Sequence, residues 1–521
     1  MEDDMSNFSR SRRKFITNTS AIAATAVSGL TPQILSAAGH KSLNLRLHRD
    51  IQILDPGYMI GGAEGTTEKA IMPTLMHVRA GDSWVWEPSG AVESLGYTDP
   101  THIAFKLKPG LMWDGGYGEF TAEDVKFSYE RMKQSEWDGK WTAMERVDVI
   151  DKYNGVIVMN QSFGPFPFVA LTGATGCIVC KAAFEALGIT QYTTDVPAQL
   201  GPYKLEWKPK DRLIFTAHPN WTLEKPAYEN INWILIEDDN TAELAYEAGE
   251  VDLTNVGPLS LIRYKKNPPA DTTMRVVAGL RYTWMGMNTD HPKLKDIRVR
   301  QALQHAVDVD SILQAGYGGV APKSHGIVPP GLVGKRNESK YSYNPKKAKE
   351  LLDSSGVSGL SLTLQTLNRQ ERMTAAQIIQ ANLAEIGVQV EIIPLDSGPF
   401  WNLGQESKGD DWKDLQLWIM RYGGAPDPYD HFQWFRKDQV GVWNWERWSD
   451  DEFEDLYEKG IAETNPEERN RIYLRMGEIM EDTGAYLWIT HEPEGIMHRS
   501  SIDPGILPDG RHDFRQYRSK G

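Results

Sequence analysis

Cys177-Ile-Val-Cys180 is the stretch of this chain whose spacing matches a known chemistry most directly. A C-x-x-C pair that opens a helix forms a dithiol redox site when the helix N-terminus lowers one thiol pKa. Residues 181–187 supply a candidate helix, but no thioredoxin-like unit precedes the pair and the residues between the thiols are apolar. Buried thiols or a local disulfide therefore fit better than redox catalysis. Other catalytic signatures are missing: there is no G-x-S-x-G elbow, no P-loop and no H-E-x-x-H helix. The 12 His are scattered without metal-ligand spacing, so no catalytic residue, metal or cofactor is expected. Acidic runs at Glu237-Asp238-Asp239 and Asp450-Asp451-Glu452 read as solvated turns or helix starts. Nothing singles out a pair of acids for glycoside hydrolysis. Segment 418–448 stands apart. Arg421, Tyr422, Asp427, Tyr429, Trp434, Trp443, Trp445 and Trp448 crowd a stretch made irregular by Gly423-Gly424 and Pro428. Tyr and Trp on such a loop offer flat apolar faces with a polar edge, suited to small-molecule recognition, while the remaining rings pack.

The elements that must position these residues read as alternating α and β. Period-two alternation predicts strands at 43–47, 101–107, 155–159, 213–217 and 231–236. Thr121 with Asp124 three residues on predicts a helix N-cap, and another helix is expected at 241–248. In the second half, 297–315 reads as one long helix that leaves through Gly316-Tyr317-Gly318-Gly319. A helix at 345–352 is followed by a strand at 360–367, an amphipathic helix at 374–386 ending at Gly387, and a strand at 388–393. That strand–helix–strand order is a βαβ unit of an α/β domain. Helices at 450–463 and 466–483 precede a strand at 486–490. No repeat or flexible linker separates the halves, so they are expected to pack together.

The chain has 521 residues, 40% of them hydrophobic and 24% charged, an ordinary globular composition. Its formal charge of −15 opposes nucleic acid and anionic lipid as partners. The two cysteines exclude a disulfide framework, and no uninterrupted apolar run is long enough to span a bilayer. Ser11-Arg12-Arg13-Lys14-Phe15-Ile16, a mild apolar stretch and Ser36-Ala37-Ala38 stand in the order of a twin-arginine signal peptide. Residues 1–38 are thus expected to be removed on export, leaving an unanchored periplasmic protein.

Several landmarks together carry a family resemblance. Phe105-Lys-Leu-Lys-Pro-Gly110, Trp113-Asp114-Gly115 and Thr121-Ala-Glu-Asp-Val125 are the most specific. Gly201-Pro202-Tyr203, Gly249-Glu-Val-Asp252, Asn288 with Asp296-Ile-Arg-Val-Arg-Gln-Ala302, and Ile386-Gly387-Val388 leading to Asp427-Pro428 follow in order. The chain resembles the family 5 solute-binding proteins of ABC importers, which include dipeptide-, oligopeptide-, nickel- and opine-binding members. The resemblance implies a two-lobed α/β periplasmic-binding-protein fold of the cluster C arrangement, hinged on two crossing strands. Lobe I would be 39–280 with an extra subdomain about 85–199, lobe II 281–485, and 486–521 a return to lobe I. It implies a monomer that binds a peptide, an opine-like conjugate or an oligosaccharide and docks on a membrane permease; a Tat-exported hydrolase is the alternative of another class. Expected contacts are Trp284 and Asn288 near the crossing, Arg421, Tyr422, Asp427, Trp443 and Trp445 on lobe II, and Asp55 and Tyr58 opposite. Dipeptide-binding members hold the ligand ammonium with an Asp just before Asp-Pro and its carboxylate with an Arg, positions that here match Gly424 and Thr366. Arg369 or Arg372 could take the second role after a small register shift. Arg421 would seat a carboxylate or phosphate bidentately if it faces the cleft, or else hold its lobe together by a salt bridge.

Overall fold

A computed structural model describes residues 42–520; the twin-arginine stretch and the cleavage point after Ala38 lie outside the described residues. Two long strands, Thr272–Met287 and Tyr486–Arg499, run antiparallel through the middle of a ten-stranded sheet. On one side of them stand Leu417–Tyr422, Ser361–Leu367 and Gln389–Leu395; on the other, Leu253–Val256, Ser42–Leu47, Asn230–Leu235, Arg212–Ala217 and Tyr203–Lys208. Ser361–Leu367 pairs in parallel with both neighbours, and the helix Gln370–Glu385 makes the crossover, as the expected βαβ unit requires. Ser42–Leu47 pairs in parallel with Asn230–Leu235.

The two long strands lose register midway. Ala278 faces Pro493 and Tyr282 faces His491, so residues 279–281 bulge opposite Glu492 alone. Pro493 has no N–H for the ladder, which suits it to a place where pairing breaks, and an extra stretch of chain there bends the strand. Gly279 is required at this point, because a Cβ would stand 2.8 Å from the Glu492 carbonyl oxygen. The expected strand at 486–490 is thus only the start of one that continues to Arg499, its polar middle concealing it from the period-two pattern.

Buried apolar side chains divide along these lines. One core, including Met285, Leu303, Ile379, Trp418, Trp445 and Tyr473, is drawn mainly from the second half of the chain, with Val78 and Trp84 from the first. Another joins Leu45, Phe215, Ile231 and Trp233 to the C-terminal Phe514 and Tyr517. A third, around Phe105, Trp113, Tyr129 and Trp141, fills a separate four-stranded sheet of Val92–Asp99, His102–Leu107, Asn154–Met159 and Met144–Val149. The helix Ala122–Glu130 packs on that sheet and starts with the anticipated Thr121–Asp124 capping box. The same Asp124 carboxylate accepts from Lys181 N at 2.9 Å and from Trp113 Nε1 at 3.3 Å, so one residue fixes a helix start and a tertiary contact.

The long helix expected at 297–315 is two helices, Ile297–Ala306 and Val309–Tyr317. Val307 is extended, and the Asp308 side chain accepts from Asp310 N and Ser311 N, restarting the helix as a new N-cap. Apolar periodicity runs through the break, which is why spacing alone does not reveal it.

Candidate functional site

Two adjoining cavities lie beside the strand bulge. The larger, about 650 Å³, is walled by the helix Gly62–Ile71, by Trp137 and Lys140 beside the four-stranded sheet, and by residues 509–512. From the other half of the molecule come residues 423–426 and Asp430. The second cavity, about 440 Å³, shares Asn255, Arg281 and Glu494 with the first and adds Arg369, Arg421 and Glu492. Leu280, Arg281, Glu492 and Glu494 are residues of the bulged crossing, so the break in the ladder places charged side chains where the two cavities meet. These volumes suit an organic solute of a few residues.

Most charges in the larger cavity are paired. Arg46 Nη2 meets Asp239 at 2.6 Å, Arg281 meets Glu494 at 3.4 Å, and Arg511 Nε donates to Asp509 at 2.6 Å. Asp430 accepts from Ala425 N at 2.5 Å and from Gln433 Nε2 at 2.6 Å, and burial pushes its carboxyl up. Burial lowers the His512 imidazole to about 4, so it is neutral while its Nδ1 contacts Tyr517 Oη at 2.6 Å. Lys69 and Lys140 are the exceptions: neither ammonium group makes a hydrogen bond or ion pair among the described residues. Lys69 is 5% exposed. Lys140 is half-buried, its Nζ 4.5 Å from the Trp137 ring centroid. Burial draws both ammonium groups below the usual lysine range.

Of the contacts expected from sequence, Arg421 lines the second cavity, where its Nη1 donates to Glu492 Oε2 at 2.8 Å. The others lie off both cavities, and the side-chain polar atoms of all but Trp443 are engaged inside the protein. Asp55 is fully buried and accepts two 2.9 Å bonds from Arg131 and one each from Gly57 N and Tyr192 N. Tyr58 donates to Gln134 O at 3.4 Å. Trp284 Nε1 donates to Glu446 at 2.8 Å, and Asn288 Nδ2 to Leu415 O at 2.9 Å. Asp427 caps the helix Pro428–Phe432 and pairs with Arg469 at 2.8 Å. Tyr422 donates to Trp443 O, and the Trp443 ring stands edge-on to it with centroids 6.1 Å apart. Trp445 is buried and donates to Val442 O. The aromatic segment therefore builds the core of its half more than it walls the cavities.

The two positions matched to peptide anchors also differ from expectation in what they offer. Gly424 lines the larger cavity, and a Cβ there would stand 2.8 Å from the His431 ring. Six residues on, Asp430 presents the carboxylate that Gly424 lacks. Thr366 is fully buried in its strand. Arg372 is engaged by Glu492 and Tyr317, whereas Arg369 is exposed and lines the second cavity. Lys69, Lys140, Arg281, Asp430, Glu494 and Arg511 escaped the sequence reading. Of these, Asp430 alone had a nearby signal, three residues beyond the Asp427-Pro428 landmark.

Cys177 and Cys180 are unpaired and buried, with Cys180 at the N-cap of the helix Lys181–Leu187. Burial pushes Cys180 up to about 11 and Cys177 higher still, so the helix terminus does not produce a reactive thiolate. Native protein at pH 8 is expected to leave both thiols untouched by a disulfide reagent that titrates both after denaturation. Fast labelling of either thiol in the native state would restore the redox reading.

The family profile of the bacterial extracellular solute-binding proteins, family 5 Middle, matches residues 91–442. The dipeptide-binding protein of Escherichia coli (strain K12) is 24% identical over 451 residues, covering 80% of this chain and 83% of that protein. The glutathione-binding protein GsiB of Salmonella typhimurium is 24% identical over 446 residues, covering 80% and 84%. Among solved structures, the ABC transporter substrate-binding protein CtaP from Listeria monocytogenes superposes with a TM-score of 0.79 at 22% identity, covering 93% of this chain and 100% of the other.

Proposed function

We propose, from the premise that this chain belongs to the family 5 bacterial extracellular solute-binding proteins, that it captures a peptide or peptide-like solute, opine-like conjugates included, and delivers it to the membrane permease of an ABC importer. What carries the reading is the cavity of about 650 Å³ lined from both sides of the two crossing strands, next to the place where their pairing breaks. A ligand that touches both sides favours the conformation in which they approach, and closure becomes a ligand-dependent signal to a partner. In this reading lobe I is 39–280 with its subdomain about 85–199 and the return 486–521, and lobe II is 281–485. The bulge at 279–281 sits at that boundary, and the separate cores on its two sides support it. Relatives named for a dipeptide and for glutathione favour a solute of peptide size. The protein acts as a periplasmic monomer, exported through the twin-arginine segment, and makes or breaks no bond in its ligand.

The test is a thermal-shift screen of the exported protein against di- to pentapeptides, glutathione, opine-like carboxylates and oligosaccharides, with mass analysis of the recovered compounds. A peptide-class compound at about 100 times its dissociation constant is expected to stabilise the folded protein by roughly 2.7 kcal/mol and to be recovered intact. Stabilisation by oligosaccharides alone would replace the solute class. Cleavage of the bound compound would replace the receptor by a hydrolase.

A further inference from the structure

Lys69 and Lys140 are unusual in a protein of net charge −15. Both line the larger cavity, and every other cation there has a carboxylate partner: Arg46 with Asp239, Arg281 with Glu494, Arg511 with Asp509. Burying an ammonium group without a partner is costly, and Lys69 is 5% exposed with no hydrogen bond or ion pair among the described residues. The nearby carboxylates are engaged elsewhere, Asp513 by Arg515 and Gln516, and Asp509 by Arg511. Thr66 directs its hydroxyl proton to His512 O, and no hydrogen bond joins its oxygen to Lys69.

The neighbouring backbone has the same polarity. Gly62, Ala63, Thr66 and Lys69 present one face of the ten-residue helix Gly62–Ile71 to the cavity. The N-cap residue Gly61 has no side chain, so none caps the first-turn N–H groups. Lys69 stands in the last turn of this helix, about two turns from Gly62, and its ammonium faces the cavity there. Lys140 enters from the region of the four-stranded sheet, where Arg511 and Asp430 are the charges that act on it.

We propose that the cavity selects solutes bearing a carboxylate or phosphate group, which seats on Lys69 beside the helix Gly62–Ile71. The proposal rests on the receptor reading above and names the chemistry of the ligand that reading leaves open. The group supplies the counter-charge that Lys69 lacks.

Three tripeptides of one shape separate the possibilities: Ala-Gln-Ala amide without a carboxylate, Ala-Gln-Ala with a terminal one, and Ala-Glu-Ala amide with one on the side chain. Citrate and glycerol phosphate serve as non-peptide anions. Binding of each to the exported full-length protein is measured by calorimetry, together with the variants Lys69→Met and Lys140→Gln. At least one carboxylate-bearing peptide is expected to bind about tenfold or more tightly than the neutral amide. Lys69→Met is expected to reduce that affinity roughly 10- to 100-fold, as loss of a hydrogen bond to a charged group does, and Lys140→Gln by less. The ligand-free Lys69→Met protein is expected to melt higher than wild type, because an unpaired buried charge has been removed; this separates a lost contact from a lost fold. Equal binding of all three peptides overturns the anion site and leaves the receptor reading in place. Binding of citrate or glycerol phosphate that depends on Lys69, with no peptide bound, keeps the anion site and overturns the peptide class. No binding by any of the anions overturns the proposal.

Discussion

Glu492→Gln is expected to lower the unfolding free energy of the ligand-free protein at pH 7 by about 3–5 kcal/mol, the cost of leaving a buried charge uncompensated. Glu492 lies opposite the strand bulge and accepts from Arg372, from Arg421 at 2.8 Å and from Thr283 Oγ1 at 3.1 Å. Arg372 is 3% exposed and also donates to Tyr317 Oη at 2.9 Å, so without the carboxylate a buried guanidinium keeps only neutral partners. Burial pushes the Glu492 carboxyl up, but the charges of Arg372 and Arg421 prevail and hold it at about 2, below its ordinary 4.5. The native state therefore binds this proton more weakly than the unfolded chain does. Its stabilisation is fully present above about pH 4.5 and drains away as the pH falls through about 2. Chemical denaturation followed by tryptophan fluorescence should show the gap between wild type and Glu492→Gln closing over that window. A gap that is small at pH 7, or independent of pH down to 2, would mean that the triad does not tie the strand Leu417–Tyr422 and the helix Gln370–Glu385 to the crossing.

Glu446→Gln is expected to act in the opposite direction and at the other end of the pH range. Glu446 is fully buried; Trp284 Nε1 donates to its Oε1 at 2.8 Å while its Oε2 has no hydrogen-bond partner. Gly286 on the crossing strand leaves room for it, since a Cβ there would stand 2.4 Å from Oε1. Burial, against the hydrogen bond from Trp284, pushes its carboxyl up to about 8. The folded protein thus holds a proton that the unfolded chain releases above about 4.5. The stability linked to it is whole below pH 4.5 and is lost as the pH rises to about 8. Glutamine has the shape of the protonated acid and nothing to release. The variant should match wild type near pH 4.5 and exceed it at pH 8.5 by on the order of 3–5 kcal/mol. Equal stabilities at pH 8.5 would show that water or a rearranged partner already solvates the carboxylate.

How much was legible in advance follows the range of the interactions involved. Thr121 and Asp124 announce a helix start because a cap is made by residues three apart, and the structure forms that capping box. The βαβ order of 361–395 is equally local in origin, its strand and helix periods being read along the chain. Asp308 shows the limit: apolar spacing continues across it, yet its carboxylate takes the N–H groups of the next turn and divides the expected helix. The strand Thr272–Met287 shows another, since its pattern is broken by the very bulge that gives it a role.

For the site, residue type was a poor guide to residue use. Asp55, Asp427 and Trp445 were attractive because acids and aromatic rings bind solutes, but the fold uses all three inside itself. Their partners are remote: Asp55 meets Arg131 across 76 residues, Asp427 meets Arg469 across 42, and Arg372 meets Glu492 across 120. Lys69 and Lys140, by contrast, have no motif around them.

By itself, then, the sequence determined the family, through landmarks spread along the chain, the alternating α/β class, and the lack of a catalytic signature. Each of these is written in neighbouring residues, where caps, periodicity and short motifs operate. Only the tertiary structure decided which charges are neutralised and which face the cavity. A carboxylate stays available or disappears into an ion pair according to what the distant chain brings within about 3 Å of it, and Lys69 is left facing the cavity because nothing does.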